Sequence, residues 1–402
     1  MLVKQSQANV KLNNLHLILN TLIQHEPLSR ADLVRLTHIS KPTVSNLVDE
    51  LIKRNLVFEI GEGQSRTGRK PILIQFNSTL KYFLVFNTGR EDYHVAVSDL
   101  KGDILAKQSG EFDPSQAYHD RRSLLHTCMQ ELLNEVGISS AALLKIHGAA
   151  PGVYVEQGKA LKWSGFGFPE DQEMQTFFEQ TFQTPVLLNH SSKLALFGEK
   201  IAGKAREASH AVYIDMGYGL GCAFLFNGRV YFGAKESAGE IGYLYSDIKE
   251  FDTYTPNSYE WGALETIFSG GALQLKGIDF AKKQRNTKML ELVNGDVGKI
   301  TAKVVFTAAR QGDPQAYFII KESFRYFNMA LCNIINMLNP ELVILGGGIS
   351  KAGDFLLDFI VNEIRDKVLI MPDFEISELQ NTATVIGAIA YLIEHTDFLT
   401  EL

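Results

Sequence analysis

The sequence predicts an α/β protein preceded by a winged helix-turn-helix, on three observations. An amphipathic fifteen-residue segment, Ser40–Arg54, follows a shorter helical stretch after a two-residue turn. Two short apolar runs joined by a basic, glycine-bearing link come directly after it. Beyond them, strand-like and helix-like stretches alternate twice over, as expected of two α/β lobes.

Taken in order, Val10–His25 reads as a first helix, with Leu12, Leu15, Leu19, Leu22 and Ile23 as its core stripe. Leu28–Thr37 reads as a second helix and His38-Ile39 as the turn. In Ser40–Arg54 the apolar stripe is Val44, Leu47, Val48, Leu51 and Ile52. Ser40 occupies the N-cap position, and Pro42 lies in the first turn, where a missing N–H costs nothing. Lys41, Thr43, Ser45 and Asn46 are left on the outer face, suited to base edges and phosphates in a major groove. Leu56–Ile60 and Ile72–Phe76 read as the strands of a wing, whose link carries Arg66, Arg69 and Lys70 for phosphates or a minor groove. Residues 1–76 hold ten Lys/Arg against six Asp/Glu, about +4 in a chain of net charge −7, so the rest carries about −11. Helical hairpins with a basic loop also occur in proteins that bind no DNA. The wing and the segregated charge favour DNA.

A length of 402 residues suggests two or three domains, and 45% apolar with 21% charged residues is ordinary for a globular protein. No apolar run approaches the roughly 18–20 residues of a membrane span, and the first residues lack a secretory signal pattern, so a cytoplasmic location is expected. Cys128, Cys222 and Cys332 are far apart in apolar surroundings, which reads as core thiols rather than metal ligands or disulfides.

After residue 82 the chain reads as a strand-turn-strand-turn-strand unit over Phe83–Leu105, a helix at Arg121–Val136, and a strand Leu143–Ala149 entering the turn Pro151-Gly152. A strand Val186–Asn189 leads into a helix Ser191–Ile201. Strands Ala211–Asp215 and Cys222–Phe226 flank a glycine-rich link, Gly217-Tyr218-Gly219-Leu220-Gly221. Helices at Lys303–Arg310 and Asp313–Leu338 precede a strand Leu342–Leu345, three glycines at 346–348 and a closing helix Val385–His395. Glycine turns of this kind often approach phosphates, though they are also routine in α/β folds.

The segments GRKP, DLKG, PGV, GLGCAFLFNGRVYFGAKESAGEIG, NPELVILGGGIS and VIGAIA, in this order behind a winged helix, resemble the ROK family of repressors, open reading frames and kinases. The resemblance implies two actin-like ATPase (ribonuclease H-like) lobes with a sugar pocket between them. The expected divisions are 1–77 for the winged helix and 78–190 for the first lobe, completed by about 382–402. Residues 191–381 form the second lobe, with self-association into a dimer or tetramer. Family members with a winged helix are mostly sugar-responsive transcription factors; those without it are mostly sugar kinases.

The departures separate the two. Family kinases place a catalytic aspartate after the asparagine corresponding to Asn189, whereas this chain has His190. Their first phosphate turn, Asp-x-Gly-Gly-Thr, here reads Asn87-Thr88-Gly89-Arg90-Glu91. The zinc pattern is also replaced: Tyr243 stands for its histidine, and Pro256, Ser258 and Ala263 stand for its thiolates. No catalytic residue, metal or cofactor is therefore expected, with Trp261 and Tyr259 packing the former metal loop. The resemblance carries sugar contacts to Asn189, Glu240 and Glu265, beside the substituted His190 and Tyr243. The carboxylates at 240 and 265 could instead serve local backbone donors, and His190 could pair with a phosphorylated sugar. The favoured reading is a DNA-binding regulator, a repressor released by a sugar or sugar phosphate. The alternatives are a kinase with a DNA-binding extension and a repressor with a vestigial pocket.

Overall fold

Local sequence chemistry sets the winged helix. The computed structural model describes residues 7–63, 70–89, 92–112, 118–150, 153–155, 160–163, 171–255, 261–284 and 286–402. The first helix spans Gln7–His25; Leu15, Ile18, Leu19 and Leu22 fill its buried stripe, while Leu12 remains 42% exposed. Leu12 was expected inside, but it lies on the turn that precedes the packed core, and Ile18 takes the interior place. The second helix starts later than expected, at Arg30, because Ser29 caps it: Ser29 Oγ accepts from Asp32 N at 3.2 Å, and the Asp32 carboxylate accepts from Ser29 N at 3.1 Å. Leu28 and Ser29 themselves form a short third strand opposite Ile74 and Leu73.

His38 ends the second helix in the left-handed region, with φ 57°. The third helix, Lys41–Lys53, buries Val44, Leu47, Val48 and Leu51, with Ile52 partly covered. Ser40 does precede it in extended conformation, but its hydroxyl bonds the Thr43 hydroxyl at 2.8 Å rather than a backbone amide. Strands Val57–Glu62 and Ile72–Phe76 pair antiparallel with a bulge between Glu59 and Gly61, completing the wing's described base.

Two five-stranded sheets follow, with one shared topology. In the first, the order is 186–190, 143–150, 82–88, 92–99, 104–111; in the second it is 373–376, 342–346, 211–216, 220–226, 229–231. In each, an antiparallel meander occupies one side and two parallel strands the other. The interior parallel strand Leu342–Gly346 is a continuous apolar run because both its faces are covered, and all five of its residues are buried; the edge strand Asp373–Ile376 is mixed and partly exposed. All three cysteines are buried and free. No helix among the described residues is long and apolar enough to cross a membrane.

Two helices, Ser191–Ala202 and Ala383–His395, form the layer between the sheets. The first lies against strands 211–216 and 220–226, the second against strands 82–88 and 143–150. They cross closely enough that a side chain at Gly387 would overlap the Leu194 carbonyl, and one at Gly198 the Ala383 carbonyl. Beyond the second helix, Phe398 and Leu399 are buried in the same cluster as the winged-helix core. The Phe398 ring lies 5.6 Å from that of Phe76, and the Arg54 guanidinium donates to the Leu399 carbonyl. Glu26, almost fully covered, accepts from Phe76 N and pairs with Lys101 Nζ at 2.8 Å. The winged helix is thus packed on the first lobe rather than held by a bare linker.

Candidate effector cleft and nucleic-acid interface

On the recognition helix, Lys41 and Asn46 are exposed and Thr43 and Ser45 half-buried, all in its first two turns and outside the buried Val44–Leu51 stripe. Arg30 pins this helix to the wing, bonding Asp49 and Glu59 at 2.8 Å each. It is a positioning residue that the sequence pattern did not single out. Lys70 is exposed at the wing base and lies 3.7 Å from Glu62. Arg66 and Arg69 lie outside the described residues.

Between the lobes opens a cavity of about 820 Å³. His190, Glu240, Tyr243 and Glu265 all line it; Asn189 does not. Asn189 is only 2% exposed and stands behind the wall, its Oδ1 held by His147 Nε2 at 2.8 Å. The other nitrogen of His147 reaches the Ala388 carbonyl at 3.1 Å, so Asn189 is tied to the helix 383–395. Burial pushes the His147 pKa down to about 4. The neutral ring carries a single N–H, so it donates to one of these two oxygens at a time.

His190 caps the helix Ser191–Ala202: its Nδ1 accepts from Ser192 N at 3.3 Å, leaving Nε2 to carry the proton. Burial, then the Lys193 charge, push its pKa down to about 3. At neutral pH it offers neither a positive charge for a phosphate nor a base strong enough for a sugar hydroxyl. Lys193 is 2% exposed, donates to the Glu236 carbonyl, and is itself shifted down by burial against the pull of Glu240 and Glu236. Glu240 moves up to about 7, chiefly through burial, with Lys193 opposing and Glu265 adding to the rise.

Glu265 has a structural task beside its place on the cavity. One carboxylate oxygen accepts from Leu220 N at 2.7 Å and the other from Gly262 N at 3.3 Å, although burial still raises its pKa. It thereby clamps the glycine turn 217–221 to the start of the helix Ala263–Ile267. The expectation that Trp261 packs the loop holds: it meets the Tyr218 ring edge-on at 5.4 Å and its carbonyl accepts from Tyr254 Oη at 2.9 Å. Tyr259, like Pro256 and Ser258, lies outside the described residues, as do Pro151 and Gly152.

Two further carboxylates face one another across the cleft. Asp215 is the penultimate residue of strand 211–216, and burial, then Asp92, push its pKa up to about 6. Asp92 begins the second strand of the first sheet and accepts from Asn381 Nδ2 at 3.2 Å. Asp215 had a sequence signal, an acid closing a strand before a glycine turn. Asp92 and Lys193 had none, because each gains its meaning only from a partner distant in the chain.

The comparisons with known proteins agree with this architecture. The sequence pattern of the ROK family matches residues 84–395, and that of the MarR family matches residues 15–66. The chain is 27% identical over 401 residues to a putative xylose repressor of Caldicellulosiruptor sp. (strain Rt8B.4), covering 96% of this chain and 97% of that one. Among solved structures, a ROK family transcriptional regulator described as a homolog of the E. coli MLC protein superposes with a TM-score of 0.71 at 24% identity, over 96% of both chains. A ROK family glucokinase from Streptomyces griseus, in complex with glucose and AMPPNP, superposes with a TM-score of 0.63 at 21% identity, covering 98% of that chain but 77% of this one. These two neighbours support the fold: a pair of actin-like lobes, here preceded by a winged helix. With its family pattern spanning most of the sequence, the chain belongs to the ROK family.

Proposed function

We propose that the protein is a sugar-responsive transcriptional regulator, a repressor that leaves its operator when a sugar or sugar phosphate occupies the cleft. Its natural divisions are the winged helix 1–77, a first lobe 78–190 completed by 382–402, and a second lobe 191–381. The observation that carries the reading is the helix Ala383–His395. Asn381 and Thr384, at its start, line the cavity, while Phe398 and Leu399, just after its end, sit in the winged-helix core. One helix with its flanking residues therefore joins the cavity wall to the core of the DNA-binding unit. An effector that favours one separation of the lobes biases the position of the winged helix by its difference in affinity for the two arrangements.

The relatives support the same direction. Curated relatives at 26% and 25% identity, from Caldicellulosiruptor bescii and Bacillus spizizenii, are named xylose repressors, and the regulator structure spans both the winged helix and the lobes. Against phosphoryl transfer stand the neutral His190 in place of an aspartate and Asn87 in place of the first-turn carboxylate. The working form is a dimer, or a dimer of dimers, in the cytoplasm, binding a two-fold operator with recognition helices about one turn of DNA apart. Lys41, Arg66, Arg69 and Lys70 would hold phosphates, and Thr43, Ser45 and Asn46 would read bases. Glu240, Glu265, Tyr243 and His190 would face the sugar, with Asn189 supporting from behind.

Fluorescence anisotropy with the gene's own upstream DNA, with and without sugars and sugar phosphates, tests this. Specific binding that one compound reverses is the expected result. Specific binding indifferent to every compound would make the pocket vestigial.

A further inference from the structure

The glycine turn Gly217–Gly221 has the composition of a phosphate cradle, but its surroundings contradict that use. A phosphate at a helix N-terminus needs free backbone amides. In the helix Gly270–Lys283 these are already engaged: Gly270 N donates to the Gly217 carbonyl and Gly271 N to the Tyr218 carbonyl, each at 2.9 Å, while Ala272 N donates to Ser269 Oγ at 3.0 Å. The field is also wrong for an anion. The cavity lining carries five carboxyl groups, Asp92, Glu111, Asp215, Glu240 and Glu265, against three cations, Lys303, Arg310 and Lys351; the cations and Glu111 are exposed, the other four acids more covered. Carboxylates accept from neutral hydroxyls and repel phosphate.

The whole turn lines the cavity, and Tyr218 is its one aromatic residue. Its ring is braced edge-on by Trp261 at 5.4 Å and 89°. Gly271 makes room for both rings: a Cβ there would lie 2.9 Å from Tyr218 Cζ and overlap the Trp261 ring. A rigid aromatic face beside hydroxyl acceptors suits the apolar C–H face of a sugar ring. It also lies on the same turn as groups that touch Glu265 and His190. Leu220, two residues from Tyr218 and so within roughly 7 Å of chain, carries the amide that holds Glu265. A Cβ on Gly221 would lie 3.0 Å from His190 Cε1. The cavity of about 820 Å³ stands in the upper part of the roughly 300–1,000 Å³ range of small-molecule sites, more than one sugar ring needs.

We propose that Tyr218, braced by Trp261, is the floor of a second sugar-ring subsite, so that the effector is a neutral disaccharide or short glycan. One ring is read by Glu240, Glu265 and His190, and the next stacks on Tyr218. This deepens the regulator reading and rests on it.

The test is titration calorimetry of the full chain with three sets of probes: glucose, xylose and N-acetylglucosamine; cellobiose, xylobiose and chitobiose; glucose 6-phosphate and ATP. One disaccharide should bind roughly tenfold or more tighter than its monosaccharide. Tyr218→Ala should erase that gain and leave the monosaccharide unchanged, while Tyr218→Phe should retain it; an unaltered melting curve guards against misfolding. A monosaccharide that binds as tightly as its dimer and releases the operator would overturn the second subsite and leave the regulator standing. Tighter binding of glucose 6-phosphate or ATP than of any neutral saccharide would overturn it as well. If no probe binds, the subsite and the sugar-responsive reading fall together, with operator binding judged separately.

Discussion

The two five-stranded sheets have the same strand order, yet their equivalent turns have diverged. In the first lobe the turn after strand 82–88 leads to Asp92, which Asn381 holds, and the face of that sheet carries the helix 383–395 and, through it, the winged helix. In the second lobe the turn after strand 211–216 keeps its glycines, displays Tyr218, and is clamped by Glu265 and Trp261. One copy of the architecture has become the seat of the DNA-binding unit and the other supplies the glycine turn and the paired glutamates of the cavity wall. Topology fixes where a cleft forms. The side chains placed at its two rims decide what each half does with it.

The largest way to break this division is at the helix crossing. Gly387→Leu should force the layer apart, because the Leu194 carbonyl occupies the space; the expected loss exceeds about 4 kcal/mol, read as a collapse of the melting transition. Next is Phe398→Ala, which empties a buried site shared by the winged helix and the tail. It should cost about 3 kcal/mol and reduce effector-driven release in operator anisotropy more than it reduces operator affinity.

A subtler probe separates the two carboxylates of the second-lobe wall. Burial pushes the Glu240 carboxyl up to about 7. Since a hydroxyl donor favours its ionised form, effector affinity should rise as pH increases through about 7, with proton release on binding. Lys193→Met removes the charge that opposes the rise, so the midpoint should move higher; calorimetry at pH 6 and pH 8 in two buffers checks both. For stability the sign is opposite: a carboxyl raised in the folded state stabilises it at low pH, and that contribution declines as pH climbs from the ordinary glutamate range to about 7. The smallest effect is on the DNA side. Lys41→Ala should weaken operator binding without changing its preferred sequence and reduce the salt slope by about one.

Much of the fold was legible because its signals are local. The recognition helix, both wing strands and the meander Phe83–Leu105 follow from spacing and turn chemistry within one segment, and the family resemblance supplied the two lobes. The departures were also local: the Ser29 cap moved a helix start, and Ile18 rather than Leu12 met the core. The cleft was legible in part. His190, Glu240, Tyr243 and Glu265 do share a cavity, but Asn189 stands behind its wall. Lys193 and Arg30 act through partners dozens of residues away, and no period or motif marks such pairings. The double use of Glu265 was weighed from sequence; only geometry attaches it to both the cavity and two backbone amides.

The burial of Phe398 and Leu399 against the winged helix has a consequence for synthesis. The DNA-binding unit leaves the ribosome early, but two side chains of its core follow more than 300 residues later. At roughly 5–20 residues per second that interval is on the order of tens of seconds. Through it, a nascent chain presents the Phe76 ring without its neighbour.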